Sequence, residues 1–206
     1  MVALPSNPYP ITGPKNKERK MVYYISDLHF GHRNVIGMDG RPFETIEEMD
    51  ETLIRLWNER VTDEDDVYIV GDFAYRSGNT ASWYLRQLKG RKHLVIGNHD
   101  RLTIQDPKAL GYFASVEKMN RVVDNDRKVS LCHFPVAEWN GKRHGGYHVH
   151  GHLHNRRDEV YEFMSRFDKA LNAGCMLNGY RPVTLDELIE NNKRFREEQS
   201  GEEERL

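Results

Sequence analysis

DVYIVGDF (66–73) is a short apolar, β-branched run that stops at a glycine and delivers an aspartate. A run of this length bounded by a turn residue reads as a buried strand, and Gly71 permits the tight turn that presents Asp72. The same construction recurs on either side. Upstream, MVYYISDLH (21–29) is a strand running into Asp27 and His29; downstream, HLVIGNHD (93–100) is a strand whose Gly97 turns the chain toward Asn98, His99 and Asp100. KVSLCHF (128–134) ends on His133, and YHVHGHLH (147–154) on His152 and His154. Each chemically capable side chain in these blocks therefore falls at a strand end.

Helical patterns fill the intervals. Thr45 followed three residues on by Glu48 has capping-box spacing, and Ile46, Met49, Leu53, Leu56 and Trp57 make an apolar stripe through about Arg60. Asn79 or Thr80 opens a second helix carrying Trp83, Leu85 and Leu88, with Gly90 suited to its end. Residues 102–110 are a weak helix interrupted by Pro107, 115–124 read as a strand, and 170–177 are a candidate further strand. Thr184 and Glu187 repeat the capping box before Leu185, Leu188 and Ile189. Strands alternating with helices predict an α/β fold. Residues 1–20 read as an N-terminal arm or tail, 21–192 as the folded domain, and 193–206 as a charged, frayed C-terminal end.

Composition narrows the function classes. The 206 residues hold 30 Lys plus Arg against 32 Asp plus Glu, so global charge gives no push toward nucleic acid or an anionic membrane. Cys132 and Cys175 both sit in apolar runs, which argues for two buried thiols against a disulfide-stapled scaffold and is compatible with a reducing compartment. No window approaches about 18 uninterrupted apolar residues. The first 20 residues contain four prolines and no apolar signal core. A cytoplasmic protein without a membrane partner is the expectation.

The residue types at the strand ends point to phosphate-ester hydrolysis. Ester and hydroxide are both anionic, and two divalent cations held ~3.5–4 Å apart neutralise the oxygens and acidify a bridging water. Asp27, His29, Asp72, Asn98, His133, His152 and His154 read together as the shell of such a pair. Asp72, between the two half-sites in chain order, is the natural bridge. Imidazole with hard oxygen suits Mn, Fe, Zn, Ni or Co as the two ions. The series DxH, GD, GNHD, H and GHxH, in this order, resembles the calcineurin-like metallophosphoesterases, and its compactness is similar to the small prokaryotic or phage members.

That resemblance implies a four-layer α-β-β-α sandwich with two mixed β-sheets flanked by helices. It also implies that Asp27, His29, Asp72 and His154 hold one metal while Asp72, Asn98, His133 and His152 hold the other. His99 becomes the candidate that protonates the leaving alkoxide, with Asp100 orienting it. The segment GDFAYR (71–76) departs from the protein-phosphatase pattern, which weakens a phosphoprotein substrate.

Taken singly, each block is commonplace, and a lone His133 is more often a hydrogen-bonded core residue than a ligand. Five blocks in one order carry the reading. HVHGHLH (148–154) also invites comparison with histidine-triad hydrolases and metallo-β-lactamases, but Gly151 breaks the first pattern and the Asp of the second is missing. His148 and His150 are left either beside the ligands or on a polar strand face. For the substrate, His32, Arg33, Asn34, Arg101 and Arg143 are candidate phosphate contacts, and WNGKRHGGY (139–147) is a candidate base-stacking loop. The function expected is hydrolysis of a phosphomonoester or phosphodiester of nucleotide or small-molecule type, by attack of a metal-bridging hydroxide. A nuclease is the alternative, and a non-catalytic scaffold is disfavoured because no ligand position is empty.

Overall fold

The computed structural model describes residues 20–75 and 79–203, so the expected arm lies almost wholly outside the described residues. Four strands, β1 (Val22–Ile25), β2 (Asp66–Ile69), β3 (Arg91–Val95) and β4 (Phe113–Glu117), form a parallel sheet in the order β1-β2-β3-β4. Four more, β5 (Met119–Asp124), β6 (Arg127–Cys132), β7 (Tyr147–His150) and β8 (Ala170–Asn172), form a mixed sheet in chain order, with only β5 and β6 antiparallel. Two sheets flanked by helices match the expected sandwich, with the refinement that the strands of the first sheet are all parallel. Among the described residues its one antiparallel touch is an isolated bridge between Tyr24 and Val183.

The two sheets share an apolar interior. Tyr24, Val70 and Val95 meet Val129, Leu131, Val149 and Leu171 between them, while Ile25, Ile69 and Leu94 on the opposite face meet the helices. Helix α2 (Ile46–Asn58) buries Ile46, Met49, Leu53 and Trp57, and the Thr45 hydroxyl accepts from the Glu48 amide at 3.1 Å, as its spacing predicts. Such a cap is worth about 1 kcal/mol. Thr80 opens α3 (Ala81–Leu85) in the same way.

Three readings needed correction. The strand expected over 115–124 is two strands: the chain leaves the first sheet after Glu117 and enters the second at Met119, which a single β-rich run conceals. The strand expected over 170–177 stops at Asn172 and continues as a short 3-10 turn, Cys175–Asn178, because Gly174 and the Asn172 side chain turn it away. The last helix, α7 (Leu185–Glu203), runs well past Ile189, where the apolar pattern ends. Arg157 lies 4.1 Å from the Phe195 ring centroid and pairs with Glu198, while Tyr161 packs on Phe195; these contacts extend the helix. Leu185 and Leu188 join the inter-sheet core, and α7 lies against β1 and β8.

Short helices escaped the periodicity. These are α1 (Arg33–Asp39), with only Val35 buried, and α6 (Glu159–Met164), opened by an Asp158 cap and burying Tyr161 and Met164. The weak helix over 102–110 is α4 (Arg101–Gln105) followed by α5 (Pro107–Leu110), broken where Pro107 predicts. Cys132 and Cys175 are both free and buried. Among the described residues no helix is long and apolar enough to cross a membrane.

Candidate metal centre

The loops that leave β1, β2, β3, β6 and β7 converge at one edge of the sandwich. The first two are tied together along their backbones: the Asp27 amide donates to the Gly71 carbonyl, His29 to Asp72 and Phe30 to Phe73. Gly151 donates to His133, and the His152 amide reaches both Asp27 carboxylate oxygens at 3.2 Å. Five of the candidate ligands, Asp27, His29, Asp72, His152 and His154, sit in the left-handed region with φ between 52° and 68°. L-residues rarely adopt it, and such strain clusters at functional sites.

Glycines make room for these side chains. A Cβ on Gly97 would run into the Asp72 carboxylate and stand 2.6 Å from the Asp72 nitrogen. On Gly71 it would strike the His133 ring, 2.6 Å from Cγ, and on Gly151 it would be 2.7 Å from Asp27 Oδ2. The glycine in each of these three blocks is therefore needed for the close approach of one loop to another.

Ligand-type atoms of Asp27, His29, Asp72 and His154 all lie within 4.8 Å of one another, and these are the four residues expected to hold one ion. His29 Nε2 is 3.2 Å from His154 Nε2 and 3.6 Å from Asp72 Oδ2, while His154 Nε2 is 3.4 Å from Asp27 Oδ1. On the other side of Asp72, His133 Nε2 is 3.4 Å from the same Oδ2 and 2.9 Å from Asn98 Oδ1, to which His152 Nδ1 comes within 3.0 Å.

The donor chemistry fits a cation. The Val70 carbonyl is an acceptor only, so His133 Nδ1 carries its proton there at 2.9 Å, and in the neutral ring Nε2 presents a lone pair to Asn98 and Asp72. Lone pairs converging this closely require a positive charge among them. His133 itself shows the demand: burial pushes its pKa down, but the hydrogen bond to Asp72 and the charges of Asp27 and Asp72 outweigh this and lift it to about 9. Burial pushes the Asp72 carboxyl up, yet the His133 hydrogen bond and charge, with His29 and the His99 amide, draw it down to about 2. Burial, reinforced by the charges of His154, Arg41 and His99 and opposed by Asp72, takes His29 to about 3, which favours the neutral imidazole a metal needs.

Two residues that the sequence reading missed complete the setting. His154 Nδ1 donates to both Asp39 oxygens at 2.8 and 2.9 Å, which turns its Nε2 toward the ligand cluster. Buried Arg41 grips Asp39 through Nε and Nη2 and donates to the Leu28 and Asp27 carbonyls at 3.0 and 2.9 Å. Asp39→Asn keeps the shape and removes the charge. A carboxylate behind a metal-binding imidazole typically contributes 10–100-fold in affinity, so about that loss is expected in chelator competition; unchanged affinity would remove Asp39 from the site.

The other expected residues divide. The His99 amide donates to Asp72 Oδ1 at 2.8 Å, leaving Oδ2 facing the histidines, and its half-buried ring lies 5.3 Å from that of His29. Asp100 does not orient it. Fully buried, it accepts from the amides of Gly97, Asp72 and Phe73 at 2.7 to 2.9 Å and so clamps two ligand loops together. His32 precedes α1 and touches the His29 ring, whereas Arg33, Asn34, Arg101 and Arg143 are exposed.

Trp139 is turned inward, stacked on His148 and donating from its indole nitrogen to the Gly146 carbonyl, so it offers no base-stacking face. His148 donates to Ser130 and accepts from the Val136 amide. His150 donates to Gly151, and burial holds both rings neutral, His148 at about 4 and His150 at about 3. Both are structural supports beneath the HGHLH turn.

Comparison with known proteins follows this geometry. A family model described as calcineurin-like phosphoesterase matches residues 21–203. An uncharacterised protein of Methanocaldococcus jannaschii is 34% identical over 179 residues, covering 84% of this chain and 94% of its own. The gene 66 protein of Mycobacterium phage D29 is 31% identical over 163 residues, covering 66% of this chain and 79% of its own. A crystal structure of a protein of unknown function from Aquifex aeolicus aligns with a TM-score of 0.65 at 25% identity, covering 83% of this chain and 98% of that one.

Proposed function

Because the chain belongs to the calcineurin-like phosphoesterase family, and is therefore a metal-dependent hydrolase of phosphate esters, we propose that it works with two divalent ions on a phosphomonoester or phosphodiester of nucleotide or small-molecule type. One observation carries the dinuclear reading: a single oxygen, Asp72 Oδ2, lies 3.6 Å from His29 Nε2 and 3.4 Å from His133 Nε2, so one carboxylate serves both clusters. Asp27, His29, Asp72 and His154 would hold one ion, and Asp72, Asn98, His133 and His152 the other. Mn, Fe, Zn, Ni and Co all suit this mixed nitrogen and oxygen set. When bound, the ions neutralise phosphate oxygens and acidify the attacking water.

The chain's own residues do the rest. The Asp100 clamp and the three glycines fix the loops, so that the ligand atoms need little rearrangement. His99, held beside Asp72, gives its proton to the oxygen that leaves phosphorus. Arg33, Asn34 and Arg101, exposed at the first residues of α1 and α4, are the contacts proposed for the remaining phosphate oxygens. Phe134 is 46% exposed with its ring 4.8 Å from that of His152, a flat apolar surface that favours an aryl or nucleoside group on the ester.

The test is metal analysis, together with hydrolysis of monoesters, bis-aryl diesters, nucleotides and single-stranded oligonucleotides after chelation and addition of each metal. Two ions per chain and cleavage of the small esters are expected. One ion per chain would refute the dinuclear reading, and exclusive cleavage of oligonucleotides would make the enzyme a nuclease. For His99→Ala the expected signature is a loss of about 10²–10⁴-fold on esters with poor leaving groups and far less on good ones. Equal losses on both would count against the acid.

A further inference from the structure

The His99 ring lacks the partner expected for it, since both Asp100 oxygens are taken by backbone amides and no hydrogen bond reaches the ring nitrogens among the described residues. Instead it is one of four aromatic rings that close a circuit. His29 lies against His32 at 5.4 Å, His32 against Tyr75 at 4.4 Å, Tyr75 against His99 at 4.8 Å, and His99 against His29 at 5.3 Å. The Tyr75 and His99 planes meet at 79°, an edge-to-face contact of the favourable kind.

Tyr75 is itself fixed to the metal-ligand loop. Its amide donates to the Phe30 carbonyl at 3.1 Å, next to the isolated bridge between Phe30 and Ala74. His99 is fixed at the backbone by the bond from its amide to Asp72. Its side-chain torsions are left to the rings on its two sides. One of those rings, His29, is a proposed ligand and is committed to the cluster, so Tyr75 is the free choice the sequence made.

We propose that Tyr75 is the positioning residue for His99, holding the imidazole in the orientation that meets the leaving oxygen. The inference rests on the acid role proposed above. In that step the bond from phosphorus to the alcohol oxygen breaks, and this oxygen takes the imidazole proton. Water supplies the new oxygen on phosphorus and returns a proton to the site. A ring free to turn delivers its proton less often, and only esters that need the proton notice.

The experiment compares Tyr75→Leu, Tyr75→Phe and His99→Ala on aryl and alkyl phosphate esters of graded leaving-group pKa, with metal content measured for each. A second readout is the imidazole-selective proton–nitrogen NMR spectrum of the metal-free protein, with His99 signals assigned by their loss in His99→Ala. Tyr75→Leu is expected to lower kcat about tenfold more for poor leaving groups than for good ones, at unchanged KM and metal content, and to broaden or split the His99 ring signals. Tyr75→Phe is expected to restore both. Equal losses across the series, failure of phenylalanine to restore them, or an unaltered His99 spectrum in Tyr75→Leu would each overturn the proposal. If His99→Ala itself shows no dependence on the leaving group, the acid reading fails. The NMR comparison then still decides whether Tyr75 orders the ring.

Discussion

Asp72→Ala is expected to abolish hydrolysis of an aryl phosphate ester, by about 10³-fold or more, and to leave the purified protein short of metal. The carboxylate is buried, its Oδ2 faces His29 and His133, and its Oδ1 takes the His99 amide. Removing it takes the shared donor from both proposed metal positions and frees the backbone of the proposed acid at once. Metal ions in such sites contribute several kcal/mol to the transition state, and about 1.4 kcal/mol corresponds to a factor of ten. The measurement is kcat/KM together with metal per chain. A fully metallated, active variant would show that Asp72 is not the bridge. The variant has every prospect of folding, because the paired loop backbones and the Asp100 clamp do not use the Asp72 carboxylate.

Gly97→Ala is the second change with a large expected effect, and it adds one methyl group without touching a ligand. That methyl meets the Asp72 carboxylate and stands 2.6 Å from the Asp72 nitrogen, so one of the two loops must move. The Gly97 backbone has no positive φ, so the effect is steric and owes nothing to backbone strain. A displacement of about 1 Å at a reacting centre costs on the order of 100-fold in rate, and overpacking of this kind costs about 1–3 kcal/mol in stability. Gly37→Ala, where the added carbon meets nothing within 4 Å, is the control and is expected to retain wild-type kinetics. Kinetics and thermal unfolding of both variants decide the matter: equal activity in the two would mean that the loops do not need their close approach.

Much of the sandwich was legible because its strands are short apolar runs and its chemistry lies where they end. The ligand blocks were readable together, since five of them, each at the end of an apolar run, follow one another in a single order. What was hidden depends on contacts remote in sequence. Asp39 serves His154 from 115 residues away and sits at the end of a seven-residue helix with one buried side chain, too little for a periodic signal. Asp100, adjacent to His99 in the chain, was read as its partner, but its carboxylate is consumed by amides on its own loop and the Asp72 loop. Trp139 lies in a glycine-rich segment that reads as surface, and only the folded β7 reveals His148 as the ring it covers. Tyr75 offered no pattern at all: its meaning depends on where His32 and His99 come to lie.

The left-handed backbone at Asp27, His29, Asp72, His152 and His154 also bears on how this sequence can change over generations. Each such residue costs about 1–2 kcal/mol relative to an ordinary conformation, and glycine would relieve most of it. Substitution by glycine, and not by most other residues, would therefore stabilise the chain at these five positions while removing a donor side chain. At these five positions the comfort of the backbone and the donor side chains that converge at the site pull in opposite directions.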